Sequence, residues 1–254
     1  MAKRFDCLIR TKEDLKAAVE TFGIVPLFRN SIPGFSVEEH AAPEAWFQSE
    51  EGVWEWKGPV IRETGCAYGK FFERKAAFVS RKWFPDLANY RRDGYDFDAR
   101  WDEGFASWGD KELFDLIEKN GPILSRRLKQ MGDYRKGGKK GFDTSVNRLQ
   151  EQGYVVISDF VYSTTAKGEQ YGWGVAEYAT AERQLGKAFA SHVYDRTPEE
   201  SYQRLLKLLK TGLQLLFFQS FLLQAIPVEI FSFSRLFKNL QKINLLILSK
   251  KQQN

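Results

Sequence analysis

Two runs rich in Val, Ile, Tyr and Phe, YVVISDFVYS and YGWGVAEYAT, flank the polar stretch TTAKGEQ between residues 154 and 180. β-branched and aromatic runs joined by a glycine-containing turn pair as a hairpin. Three short helical patterns come just before them. Asp110 is expected to cap KELFDLIEKN, whose Leu113, Phe114, Leu116 and Ile117 face inward and whose Gly121 is a stop. Ser125 opens SRRLKQM, which ends at Gly132, and a third helix runs from Asp143 or Thr144 to Gly153. Helix, helix, helix, strand, tip, strand is the order of a winged helix-turn-helix, expected over 108–182.

In the third helix, Phe142, Val146 and Leu149 stand at i, i+4 and i+7, a stripe that buries itself. Thr144, Ser145, Asn147, Arg148 and Glu151 are then expected to point outward. Amide, guanidinium and hydroxyl groups bond base edges and phosphates. The loop before this helix, YRKGGKKG, carries Arg135, Lys136, Lys139 and Lys140, and Lys167 lies near the hairpin tip, where phosphate contacts are expected. The alternative is a solvated face of a winged helix that contacts protein. Glu151 on the same face works against DNA.

Net charge sharpens this reading. The whole chain carries +5, yet residues 1–210 hold 33 basic and 32 acidic side chains. From 122 to 148, eight basic residues (Arg126, Arg127, Lys129, Arg135, Lys136, Lys139, Lys140, Arg148) face only Asp133 and Asp143. A neutral body with one basic segment attracts polyanions locally.

Upstream, Thr11 caps a helix to about Phe22, Gly23 ends it, and IVPLF reads as a short strand; Ser36 and Glu39 form a capping box for a brief helix near His40. Between Trp46 and Trp108 lie six of the seven tryptophans. GVWEWKGPVI and KAAFVS alternate as strands do, with Gly58-Pro59 and Gly65 as punctuation, and predict a small mixed α/β unit with an aromatic core. A partly open aromatic slot near Trp54, Trp56 and Trp83 is the minority reading there.

Other chemistry finds little support. Asp96 and Asp98 would share a face if they lay on a strand, but six acids and five bases between Arg81 and Glu103 balance as internal pairs. His40 and His192 have no ligand neighbours at zinc spacing, and RKGGKKG is no Walker loop. No metal and no small-molecule cofactor is expected. Cys7 and Cys66 make no disulfide framework and read as thiols in a reducing cytoplasm, and the start MAKRFDCLIRTKED shows no export signal.

Three stretches, LIEKNGPILSRRLKQM, EQGYVVISDFVYSTTAKGEQYGWGVAEYATAER and YGKFFERKAAFVSRKWFPDLANYRRDGYDFDAR, resemble the AlkZ/YcaQ-type winged-helix DNA glycosylases, and more closely the compact AlkZ-related proteins. The resemblance runs over about residues 10–205. It implies a lineage that handles alkylated or cross-linked bases. Glycosylases of that family carry Gln-apolar-Asp or Gln-apolar-Gln after an early helix. The matching stretch here is FGIVPLF, with Pro26 at the Gln position and Phe28 at the acid or second amide. Neither side chain can position water or stabilise a developing oxocarbenium charge. The catalytic pair is therefore expected to be absent.

Residues 211–254 change texture: they are dense in Leu, Phe, Ile, Gln and Asn, and 211–228 carry no charge. A membrane hairpin, an amphipathic extension and an out-of-frame ending all fit; the resemblance stops here, which favours the last. The sequence thus predicts an α+β protein: an aromatic-rich α/β unit at 1–107, a winged helix-turn-helix at 108–182, a C-terminal helix at 183–210 and an atypical apolar tail at 211–254. The function expected is DNA binding in the cytoplasm, without glycosylase chemistry. An active glycosylase using other residues, such as the Arg91–Asp98 cluster, and a protein-interaction module remain the alternatives.

Overall fold

The computed structural model describes residues 8–47, 51–165, 167–168 and 170–220. Helix α1 (Lys12–Phe22) is capped as expected: Thr11 Oγ1 accepts from the Asp14 N–H at 3.2 Å and Asp14 returns the bond to the Thr11 N–H at 3.0 Å. β1 (Ile24–Pro26) follows. Ser36 then caps α2 (Val37–His40), and Ser36 Oγ lies 2.6 Å from Glu39 Oε2. α3 (Pro43–Phe47) and α4 (Val53–Thr64) lead to the antiparallel pair β2 (Ala67–Phe72) and β3 (Lys75–Val79). β1 completes a three-stranded sheet in the order β1-β3-β2, with Ile24 opposite Val79.

The segment GVWEWKGPVI is a helix, not a strand. Val53, Trp56, Lys57, Val60 and Ile61 are its buried positions, spaced i, i+3, i+4, i+7 and i+8. The Gly52 N–H donates to Glu55 Oε2 at 3.0 Å at one end, and Gly65 closes the other at φ 63°. Pro59 sits inside the helix. Gly58 is a close approach, not a break: a Cβ there would stand 2.6 Å from Asp159 Oδ1.

α5 (Phe84–Arg92) and α6 (Phe97–Asp102) follow. Asp96 caps α6, accepting from the Ala99 N–H at 2.8 Å, so Asp96 and Asp98 do not share the face of a strand. Next come α7 (Trp108–Asn120), β4 (Ile123–Leu124), α8 (Ser125–Met131) and α9 (Phe142–Glu151). Ser107, not Asp110, caps α7; Asp110 is the third helical residue and completes the capping box. α9 begins one residue earlier than expected, after Gly141 at φ 94°. The hairpin is the one expected: β5 (Val155–Thr164) and β6 (Gln170–Thr180) pair antiparallel, Val155 opposite Thr180, and β4 adds to β6.

α10 (Ala181–Leu185), α11 (Lys187–His192) and α12 (Pro198–Ser220) end the described chain. α12 packs along α5, where buried Asp86 meets Arg204 at 3.0 Å and Arg196 at 3.8 Å. Thr197 Oγ1 accepts from the Glu200 N–H at 3.2 Å at the start of α12. Among the described residues no helix is long and apolar enough to cross a membrane. Cys7 and residues 221–254 lie outside the described residues.

The protein is mixed α+β. One apolar cluster runs from Ile9 and Leu15 through Trp56 and Tyr68 to Leu113, Val146, Leu149 and Tyr178, so it spans both sides of residue 107. The two sheets meet where the Tyr68 and Phe160 rings approach at 5.6 Å, edge to face.

Candidate functional site

Helix α9 turns Phe142, Val146 and Leu149 into the core, as expected. Its other face is only partly open. Thr144 is exposed and Asn147 half-buried. Ser145 corrects the expectation: it is buried. It stands three residues after Phe142 and four before Leu149, on the stripe side of the helix. α7 passes so close that a Cβ on Gly109 would lie 3.1 Å from Ser145 Oγ.

Arg148 is also engaged within the protein. Its Nη1 donates to Asp110 Oδ2 at 2.7 Å and to Ser107 Oγ at 3.2 Å, which ties α9 to the start of α7. Asp110 is buried and Arg148 is not, so the surface guanidinium neutralises an interior carboxylate. Glu151, the acid that counted against DNA, is paired with Arg74 Nε at 3.1 Å.

In the loop before α9, Lys139 donates to Glu112 of α7, and that bond holds its ammonium above the ordinary lysine range. Arg135 lies 3.8 Å from Asp133, and Lys129 lies 3.5 Å from Asp143. Lys136 and Lys140 are exposed, as is Lys167 at the hairpin tip; none makes an ion pair among the described residues. Arg126 and Arg127 on α8 are exposed and unpaired in the same sense, and were read from sequence only as charge.

A second constellation surrounds Phe28. Pro26 is buried on β1 opposite Ala77, and the Phe28 ring lies 6.2 Å from Trp46 and 5.9 Å from Trp54. Trp54 in turn contacts Trp46 at 5.6 Å and Trp173 of β6 at 6.2 Å, and Trp173 is 81 % exposed. Lys57 enters this cluster from α4. Its Nζ stands 4.5 Å from the Trp54 ring centroid and 4.2 Å from that of Phe160, and Lys57 is only 8 % exposed. It has no hydrogen-bond or ion-pair partner among the described residues. Burial lowers its pKa from 10.5 to about 8, with Glu55 opposing the shift. A strand reading of this segment hides Lys57; the helical period of 53, 56, 57, 60 and 61 places it on the buried face.

That shift has a stability consequence. Between about 8 and 10.5 the unfolded chain binds more protons at Lys57 than the folded chain, so stability rises with pH there. Below pH 8 the penalty is fully present. Lys57→Met is therefore expected to stabilise the protein by about 1–2 kcal/mol at pH 7. The gap between variant and parent should narrow in urea denaturation at pH 9.5. A variant less stable than the parent at pH 7 contradicts this account.

The remaining candidates are structural. His40 Nε2 lies 2.7 Å from the Gly34 carbonyl oxygen, and His192 Nδ1 lies 2.7 Å from Asp195. Burial pushes the Cys66 thiol up to about 11, away from the reactive thiolate. Arg91 donates to the Phe71 carbonyl at 3.2 Å, whereas Asp98 is 3.9 Å from Lys111, so the proposed Arg91–Asp98 cluster is not drawn together by a bond between them. Among the described residues no group of His, Cys, Asp and Glu is arranged to hold a metal.

These features define a mixed α+β protein with a basic, partly neutralised helical face and an aromatic cluster around a lysine that has no ion-pair partner among the described residues. The model of the family described as AlkZ related matches residues 9–215, and the chain belongs to that AlkZ-related family. Comparison with curated proteins and with solved structures gave no significant match.

Proposed function

We propose that the protein binds nucleic acid through a winged helix-turn-helix formed by α7, α8, α9 and the β5–β6 hairpin, and that it lacks the glycosylase chemistry associated with its family. The order of these elements, with β4 added to the hairpin, supports the winged-helix reading. The observation that carries binding is the loop between α8 and α9. The acids beside it, Asp133, Asp143 and Glu112, are already opposite Arg135, Lys129 and Lys139, while Lys136 and Lys140 stand exposed with no ion-pair partner among the described residues. Free ammonium groups on an exposed loop displace counterions from a phosphate backbone at little desolvation cost.

The roles of the face differ from one residue to the next. Lys136, Lys140, Arg135 and Lys167 hold phosphates, with Thr144 and Asn147 nearest a groove. Lys139 and Arg148 contribute only by leaving Glu112 and Asp110, and Ser145 positions α9 against α7. At the family's motif positions Pro26 and Phe28 offer no donor or acceptor, which supports binding without base release.

The test is a duplex DNA titration at two salt concentrations. Lys136→Ala with Lys140→Ala is expected to weaken binding about tenfold for every sequence and to reduce the magnitude of the salt slope by about 2. Affinity and slope both unchanged in the double variant, or no binding by the parent at low salt, overturn the proposal.

A further inference from the structure

We propose that Lys57 is an amine nucleophile that captures the open-chain aldehyde of an abasic sugar in nucleic acid, an inference that rests on the nucleic-acid reading above. A lysine serves as a nucleophile when its amine is unpaired and held among apolar groups. Lys57 meets both conditions. Its Nζ contacts the faces of Trp54 and Phe160, with no hydrogen-bond or ion-pair partner among the described residues. A buried cation without a carboxylate is costly, and ordinary core packing at this position would be served by methionine or leucine. The lowered pKa leaves a substantial neutral fraction near pH 8.

The surroundings select the aldehyde. The rings over the amine belong to the outer layer of the protein: Trp54 and Phe160 are half-buried, and Trp54 touches Trp173, which is 81 % exposed. An exposed indole gives a nucleobase beside the gap a face to stack on. Lys167, at the tip of the hairpin that carries Trp173, offers a cation to the phosphates. A sugar without its base is the nucleic-acid component that presents an electrophilic carbonyl and leaves space where the base stood.

The step balances without an oxidant or reductant. The neutral Nζ lone pair adds to the C1′ carbonyl carbon, the C=O π pair moves to oxygen, and that oxygen takes a proton released by the nitrogen. The carbinolamine then accepts one proton from solvent and expels water, leaving an iminium ion on Lys57. Hydrolysis reverses the sequence.

The experiment incubates the full chain with an oligonucleotide bearing an aldehydic abasic site and sodium cyanoborohydride, which reduces an iminium to a stable amine. A denaturing gel is expected to show a covalent adduct whose yield climbs as pH rises through about 8. Peptide mapping should place it on Lys57. Lys57→Met and Lys57→Arg should each lower the yield at least tenfold. In parallel, anisotropy measures binding to the same oligonucleotide with a tetrahydrofuran site, which has no aldehyde. Binding to that probe without an adduct on the aldehyde overturns this inference and leaves the nucleic-acid reading standing. Failure to bind it overturns both. An undiminished adduct in Lys57→Met, or mapping to another amine, overturns the assignment to Lys57.

Discussion

Arg92→Ala is expected to lose about 3–5 kcal/mol of folding stability, the largest effect of any substitution considered for this protein. Arg92 is 1 % exposed and joins four parts of the chain. From the end of α5 its Nη1 donates to Glu182 of α10 at 2.6 Å and to the Tyr194 hydroxyl at 2.9 Å, while Nη2 donates to the Gly153 carbonyl at 2.7 Å. The guanidinium carbon also stands 4.5 Å from the Tyr154 ring centroid. Truncation strands the Gly153 carbonyl, which costs about 1–3 kcal/mol, and opens a cavity among Tyr154, Phe189 and Tyr194. Glu182 is 37 % exposed and keeps its water, so it does not become a buried lone charge. Arg92→Met fills most of the volume and should recover about half of the loss. Urea denaturation with an unchanged slope reads both numbers; a loss below about 1 kcal/mol for Arg92→Ala would show that the guanidinium does not join these elements.

The parts of this fold legible in the sequence are those encoded by neighbours along the chain. Thr11 and the Ser36–Glu39 pair are local caps, and both hold. The hairpin was legible because its strands are long, β-branched and joined by a short turn. Residues 52–61 read as a strand for a physical reason: Gly58 and Pro59 look like punctuation. Here the glycine admits Asp159 of β5, and the proline is tolerated inside a helix whose apolar positions keep the period. At the site the limit is different. The stripe of α9 is a local pattern, but which hydroxyls and cations remain free depends on α7. Gly109 covers Ser145, and Asp110 and Glu112 take Arg148 and Lys139 from 38 and 27 positions away. No window of sequence reports a partner at that distance. Lys136 and Lys140 have no such partner among the described residues, so here the local charge pattern and the packed structure agree on exposure.

Phe28→Asp, which places an acid where the sequence resemblance to the glycosylases expects one, is expected to cost about 2–4 kcal/mol and to release no base from alkylated DNA. The ring contacts Trp46 and Trp54, and each aromatic pair contributes about 0.5–1.5 kcal/mol beyond the area it buries. A carboxylate in its place would sit against two indoles in a half-buried position and would lose hydration without gaining a fixed donor. Pro26→Gln compounds the loss. Pro26 is buried at the end of β1, so the introduced amide enters the core with its hydrogen bonds unmade, at about 1–3 kcal/mol. Phe28→Leu should retain most of the stability, because it keeps apolar volume and removes only the ring geometry. Thermal and urea denaturation of the three variants, alongside an assay for free base, separates the alternatives. A Phe28→Asp protein as stable as the parent would mean that the aromatic cluster does not depend on this ring. Base release by Phe28→Asp combined with Pro26→Gln would contradict this expectation. The expected result is neither, because Pro26 is buried in the first sheet and Phe28 packs on Trp46 and Trp54, so polar side chains at both positions remove packing that the fold uses.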